Sequence, residues 1–172
     1  MKKSLFIFLS FLTTASYSQN DKGVVINGIT WATCNVGASN PEEYGDYFTW
    51  EEAQTACPKG WRLPTLEEFE MFDELEGNVP SEWTTLNGVN GRNFGSDINT
   101  IFLPAAGASD LLSHIGALGD YWSSTEETDY DEELDEDIEV PNEARGLGFK
   151  KDKLFFFTAN RNDSCSVRCV KE

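Results

Sequence analysis

Four cysteines sit towards the two ends of this chain, Cys34 and Cys57 in its first third and Cys165 and Cys169 close to its last residue. If they are oxidised, the fold must bring those ends together. Oxidation depends on compartment, and the first residues speak to that. Lys2 and Lys3 precede the apolar stretch Leu5 to Leu12 and the small-residue cluster Ala15-Ser16-Tyr17-Ser18, the pattern of a secretory signal peptide. The apolar stretch is far shorter than the roughly twenty residues a bilayer-crossing helix needs, so residues 1–18 are expected to be cleaved after Ser18 and not to anchor the chain. No cysteine precedes Cys34, which argues against a lipid-modified cysteine after the signal. The mature protein is expected to be exported, to the periplasm, the cell surface or the medium, without membrane insertion.

In such a compartment thiols oxidise, and four cysteines allow three pairings. If Ser164 to Lys171 is a strand, Cys165 and Cys169 lie about 13 Å apart at roughly 3.3 Å per residue, beyond the ~7 Å over which a bridge can form. Each must then reach back to Cys34 or Cys57, and two pairings stay open. A zinc site is the rival reading, but only His114 could join it and no Cys-x-x-Cys occurs.

Residues 19–172, about 154 of them, suit one domain able to bury roughly two-thirds of its unfolded surface. Five Trp and twelve Phe supply bulky core material, while 14 Gly imply a loop-rich fold. The formal charge is −17 and becomes −19 once Lys2 and Lys3 leave. Such a surface repels polyanions, because phosphate binding depends on Lys and Arg displacing counterions. Nucleic acid and anionic lipid are therefore excluded as partners, and cations, neutral glycans and basic proteins remain.

Asn27-Gly28 lies between the β-branched runs Val24-Val25-Ile26 and Ile29-Thr30-Trp31, which predicts an opening β-hairpin. Thr49-Trp50-Glu51-Glu52 and Thr65-Leu66-Glu67-Glu68 read as capping boxes. The first opens a helix that Pro58 ends, with Trp50 and Ala53 inward. The second opens a helix with the apolar stripe Leu66, Phe69, Phe72 and Leu75, ended by Gly77 and serving to pack a core. From Val79 to Asp120 the chain reads mostly as loop, with one apolar island at Ile101 to Pro104. Strands follow at Tyr121 to Ser124, Arg145 to Lys150, Leu154 to Ala159 and Ser166 to Lys171, the middle two joined by a turn at Lys151-Asp152. No strand-helix-strand alternation exists, so the class is α+β.

Several segments together resemble the Fibrobacter succinogenes major paralogous domain: Trp31-Ala32-Thr33-Cys34-Asn35-Val36-Gly37-Ala38, Tyr44-Gly45-Asp46-Tyr47-Phe48-Thr49-Trp50, Cys57-Pro58-Lys59-Gly60-Trp61-Arg62-Leu63-Pro64-Thr65, Ile101 to Gly107, Tyr121-Trp122-Ser123-Ser124 and Ser166 to Lys171. The likeness runs over nearly the whole mature chain. That family resembles the C-type lectin-like fold, and its Arg-Leu-Pro-Thr and Arg-Cys segments also resemble formylglycine-generating enzymes. The resemblance implies two helices with antiparallel sheet and a long loop region, Cys57 paired with Cys169, and Cys34 left to Cys165. It brings no established activity.

An oxidase of the formylglycine-generating type needs a reactive cysteine pair besides the structural bridge, and Phe149 to Asn160, near where one would fall, holds no cysteine. His114 is the only histidine, flanked by Leu111, Leu112 and Ile115, the setting of a packed or loop histidine and not of a hydrolytic triad. Carboxylate pairs for glycoside hydrolysis carry no information in a chain with 30 acids. Residues 126–139 carry ten acids in fourteen positions, which reads as a solvated insertion, with weak calcium binding by Asp129, Asp131, Glu133 and Asp135 as the alternative. Leu134 and Val140 occupy the places where an EF-hand needs Gly and Glu. The calcium-sugar motif of C-type lectins is likewise broken, by Val140 within Glu139-Val140-Pro141-Asn142. Sugar binding by aromatic stacking stays open, with Trp83 and Trp122 as candidates. The function expected is a non-enzymatic binding or adhesion module for a glycan or protein, with its ligand surface between Val79 and Val140. The alternative is a structural subunit of a surface assembly.

Overall fold

The computed structural model describes residues 21–73, 79–108, 114–131 and 136–172; the expected signal peptide, residues 1–18, lies outside them. Among the described residues no helix is long and apolar enough to cross a membrane. The opening hairpin forms as expected, β1 (Val24–Ile26) and β2 (Ile29–Trp31), because Asn27 and Gly28 both take positive φ, 47° and 82°, as a tight two-residue turn requires.

Both capping boxes are made. α1 (Trp50–Ala56) begins at Thr49, whose side chain accepts from Glu52 N–H while the Glu52 carboxylate accepts from Thr49 N–H. It buries Trp50 and Ala53. β3 (Trp61–Arg62) leads to α2 (Leu66–Glu70), capped in the same way by Thr65 and Glu68. α2 is shorter than its apolar stripe predicts. Phe72 N–H and Asp73 N–H bond back three residues, to Phe69 and Glu70 carbonyls, and such tight bonds close a last turn without continuing the helix. Phe72 is still fully buried, whereas Leu75 and Gly77 fall outside the described residues.

The largest departure lies between Val79 and Pro104. Where the sequence reads as loop, the chain forms a three-stranded antiparallel sheet, β4 (Ser81–Leu86), β5 (Val89–Ser96) and β6 (Asn99–Pro104). The first turn is Asn87-Gly88, again with both φ values positive, 48° and 86°. The second is Asp97-Ile98, with Asp97 at φ 54°. Glycines dilute the strand signal here because β5 needs one. A Cβ at Gly91 would sit 2.4 Å from the Leu103 carbonyl oxygen and 2.5 Å from the Phe102 ring.

A second antiparallel sheet holds β7 (Gly119–Asp131), β8 (Glu136–Phe149) and β9 (Leu154–Asn160). The acidic segment extends the β7–β8 ladder, with Thr128 opposite Glu139 and Asp131 opposite Glu136. Its described backbone is thus a hairpin arm. Glu132 to Asp135 lie outside the described residues.

The last strand, expected over Ser166 to Lys171, is only β10 (Val170–Lys171). The residues before it pair singly: Cys165 bridges Phe48 and Ser166 bridges Tyr121, while Val167 and Cys169 carbonyls accept from Val36 and Ala32 N–H. β10 sits between β2 and β3 in a sheet of order β1-β2-β10-β3, so the two ends of the described chain share one sheet. One core cluster runs through Trp31, Phe69, Phe72, Phe94 and Phe149, with Phe72 stacked on Phe94 at 4.4 Å. A second gathers Trp50, Leu63, Trp122, Val167 and Cys169.

Candidate functional site

Trp83 occupies the middle of β4, directly opposite Arg92 on β5. Its ring is half-buried and meets Phe149 edge-on at 6.4 Å and 69°, so its orientation is fixed by the core it borders. Arg92 is almost wholly buried. Its Nη1 donates to Ser81 Oγ at 2.7 Å, and its Nη2 points at the carbonyl oxygens of Lys150 and Lys151 at 3.4 and 3.3 Å. The guanidinium therefore ties the turn between β8 and β9 to the β4–β6 sheet. That turn is closed by Lys150 N–H donating to the Lys153 carbonyl at 2.8 Å.

Two open depressions result, and Trp83 lines both. One, about 740 Å³, is bounded by Trp83, Thr85, Asn90, Gly116 and Lys151. The other, about 520 Å³, runs from Phe72 past Arg92 to Leu154. The wall of the first is preset: Thr85 Oγ1 donates to Asn90 Oδ1 at 3.0 Å, and Asn90 Nδ2 donates to the Gly116 carbonyl at 2.9 Å. Gly116 has φ 81°, a conformation that favours glycine. His114 serves this turn, its carbonyl accepting from Ala117 and Leu118 N–H.

Trp122, the other stacking candidate, is corrected by the structure. It is fully buried, its Nε1 donates to the Phe48 carbonyl at 2.9 Å and its ring leans on Phe157 at 5.6 Å, so no ligand can stack on it. Of the calcium candidates, Asp129 lies within the β7–β8 ladder opposite Ile138. Asp131 ends that strand, and Glu133 and Asp135 are outside the described residues. Among the described residues no group of three or more His, Cys, Asp or Glu is placed to hold a metal ion.

The Cys57–Cys169 bridge is formed, with Cα atoms 5.9 Å apart and the two residues 112 positions apart. The second pairing is not: Cys34 and Cys165 are both buried thiols. Backbone register separates their settings. Residues 32–36 bond to the Cys169 and Val167 carbonyls, whereas Cys165 exchanges both backbone bonds with Phe48. The Cys34 sulfur lies 3.6 Å from Thr33 Oγ1, and burial pushes its thiol above the ordinary range.

Arg92, Asn90 and Lys151 escaped sequence reasoning because the segment carrying two of them reads as loop. The Asn87-Gly88 dipeptide, preceded by Trp83-Thr84-Thr85-Leu86, is the signal that locates them. The whole defines a disulfide-linked α+β protein, mostly β, with an open surface lined in part by Trp83. Residues 12–171 match the Fibrobacter succinogenes major domain, and the chain belongs to that family. Comparison with curated proteins and with solved structures returned no match.

Proposed function

We propose that this protein is an exported, non-enzymatic binding module of C-type lectin-like architecture that holds a saccharide against Trp83. The fold assignment rests on the shared terminal sheet, with β10 between β2 and β3, stapled to the end of α1 by Cys57–Cys169. The ligand assignment rests on one observation: an oriented, half-buried indole standing between two open depressions. A pyranose offers an apolar C–H face for such a ring and hydroxyls for the groups around it. Thr85 and Asn90 stand beside the ring, already locked by their mutual bond. A non-enzymatic role fits the two thiols, buried against different neighbours, and His114, which serves a turn through its carbonyl.

A glycan array probed with the mature protein, with and without calcium, tests the reading. Hits that Trp83→Ala abolishes support it. Silence of the unaltered protein in both arms rejects it and favours a structural subunit that contacts protein only.

A further inference from the structure

We infer that the depression bounded by Trp83, Asn90, Gly116 and Lys151 is a subsite for an acidic sugar, with the Lys151 ammonium taking the carboxylate or sulfate of a ring stacked on Trp83. This rests on the saccharide reading above and names the class of saccharide.

An acidic protein is an unpromising receptor for an anion, so placement of charge decides the matter. At about 0.15 M salt the screening length is about 8 Å, and a bound ligand responds mainly to the charges that line its own site. Among the described residues, Lys151 is the one charged residue lining this depression. The other depression that Trp83 lines carries, among the described residues, Asp73, Glu82 and Asp152 against Arg92, Lys151 and Lys153, a balance that offers an anion no net attraction. Ten of the 30 acids fall in residues 126–139, and the three of them whose side chains are described, Glu126, Glu127 and Asp129, line neither depression.

Lys151 is also available and held. Its side chain is exposed, and among the described residues it enters no ion pair within 4.0 Å. Its carbonyl lies against Arg92 Nη2 at 3.3 Å, so the ammonium swings from a backbone fixed to the same strands that carry Trp83. The neighbouring Lys153 is engaged otherwise, over the Phe155 ring at 5.0 Å. A stacking face, a cation, an amide and a hydroxyl around one depression meet the needs of a pyranose bearing one negative group: ring face, charge and hydroxyls.

Titration calorimetry on the mature protein tests this with three probes: trigalacturonate, the neutral trisaccharide made by reducing its carboxyl groups, and a sulfated galactotriose. The unaltered protein should bind an acidic trimer roughly two- to fivefold tighter than the neutral one, the scale of an exposed ion pair, and the preference should shrink as salt is raised. Lys151→Gln should bind acidic and neutral trimers alike, with far-UV circular dichroism unchanged, and Trp83→Ala should lose all three. Equal binding of acidic and neutral trimers by the unaltered protein, or a preference that survives in Lys151→Gln, overturns the inference while leaving the saccharide reading intact. If no trimer and no array glycan binds, both fall together.

Discussion

Arg168 and Asn35, 133 positions apart in the chain, are joined in the interior: Nε and Nη2 of the guanidinium donate to Asn35 Oδ1 at 3.0 and 2.8 Å, and both residues are fully buried. The rest of the guanidinium donates to the Ala32 and Phe102 carbonyls at 3.0 Å each. Asn35 Nδ2 in turn donates to the Tyr44 carbonyl and to Tyr121 Oη, whose own proton goes to the Pro104 carbonyl. One network thus fastens the segment after β2, the start of β7, the end of β6 and the approach to β10. Arg168→Met fills the space but strips four bonds and leaves buried acceptors without donors. It should lower unfolding free energy by about 3–5 kcal/mol, measured by urea denaturation; a loss under about 1 kcal/mol would show that the network is replaceable.

The α2 cap carries a pH signature. Arg62 grips Glu68 through two bonds, Nη1 to Oε2 at 2.7 Å and Nη2 to Oε1 at 2.6 Å, while Thr65 N–H donates to the same carboxylate. Burial works to raise the Glu68 pKa, but the Arg62 fork and the Thr65 N–H outweigh it and hold the carboxyl below its ordinary value of 4.5. A folded pKa below the unfolded one gives stability that is complete above the unfolded value and fades as pH falls through the folded one. Glu68→Gln should cost about 1 kcal/mol at neutral pH, as lost caps do. The gap from the unaltered protein should close as pH drops below 4.5, so parallel melts at pH 7 and pH 3 check the sign.

The cysteines separate by chemistry. Ellman titration of the denatured, non-reduced protein spanning residues 19–172 should find two thiols, those of Cys34 and Cys165, and the native protein should react slowly at both because both are buried. A count of zero would mean that the Cys34–Cys165 pairing implied by the family resemblance forms after all. Reducing Cys57–Cys169 frees the chain end from α1 and should cost about 2–5 kcal/mol, as for a native bridge closing a long loop.

Local chemistry was legible wherever it stood in a few adjacent residues. Both capping boxes, the Asn27-Gly28 hairpin and the Lys151-Asp152 turn need only neighbours in sequence, and all four stand where they were expected. The β4–β6 sheet was missed although Asn87-Gly88 repeats the same hairpin signal. Gly91 and Gly95 lie in a strand whose backbone is approached too closely for side chains, and that crowding belongs to the tertiary structure. Of the two tryptophans proposed for stacking, burial kept one and removed the other. Trp122 follows Tyr121 in a strand that turns both into the interior, whereas Trp83 reaches only the core's edge. In sequence Lys151 is a turn residue, and its place beside Trp83 depends on Arg92 bonding across to the turn, a contact between positions 58 and 59 residues apart.

Sheet β7-β8-β9 makes a last distinction between two glycines that look alike in sequence. Gly146 and Gly148 lie opposite Phe157 and Phe155 in the β8–β9 register, and each is covered by the ring it faces, a Cβ meeting Phe157 at 2.5 Å or Phe155 at 2.3 Å. At Gly148 the three nearest atoms all belong to the Phe155 side chain, which is half-buried beside an open depression and free to swing. At Gly146 the Cβ would also lie 2.4 Å from the Tyr121 carbonyl oxygen, backbone that cannot move without parting β7 from β8. Gly148→Ala should therefore be absorbed by a ring rotation at a cost of about 1 kcal/mol or less, and Gly146→Ala should cost about 2–3 kcal/mol, the upper range for an overfilled interior. Urea midpoints of the two variants decide it. Equal losses would mean that β8 shifts as a unit and that the ring contacts, not the backbone approach, set its position.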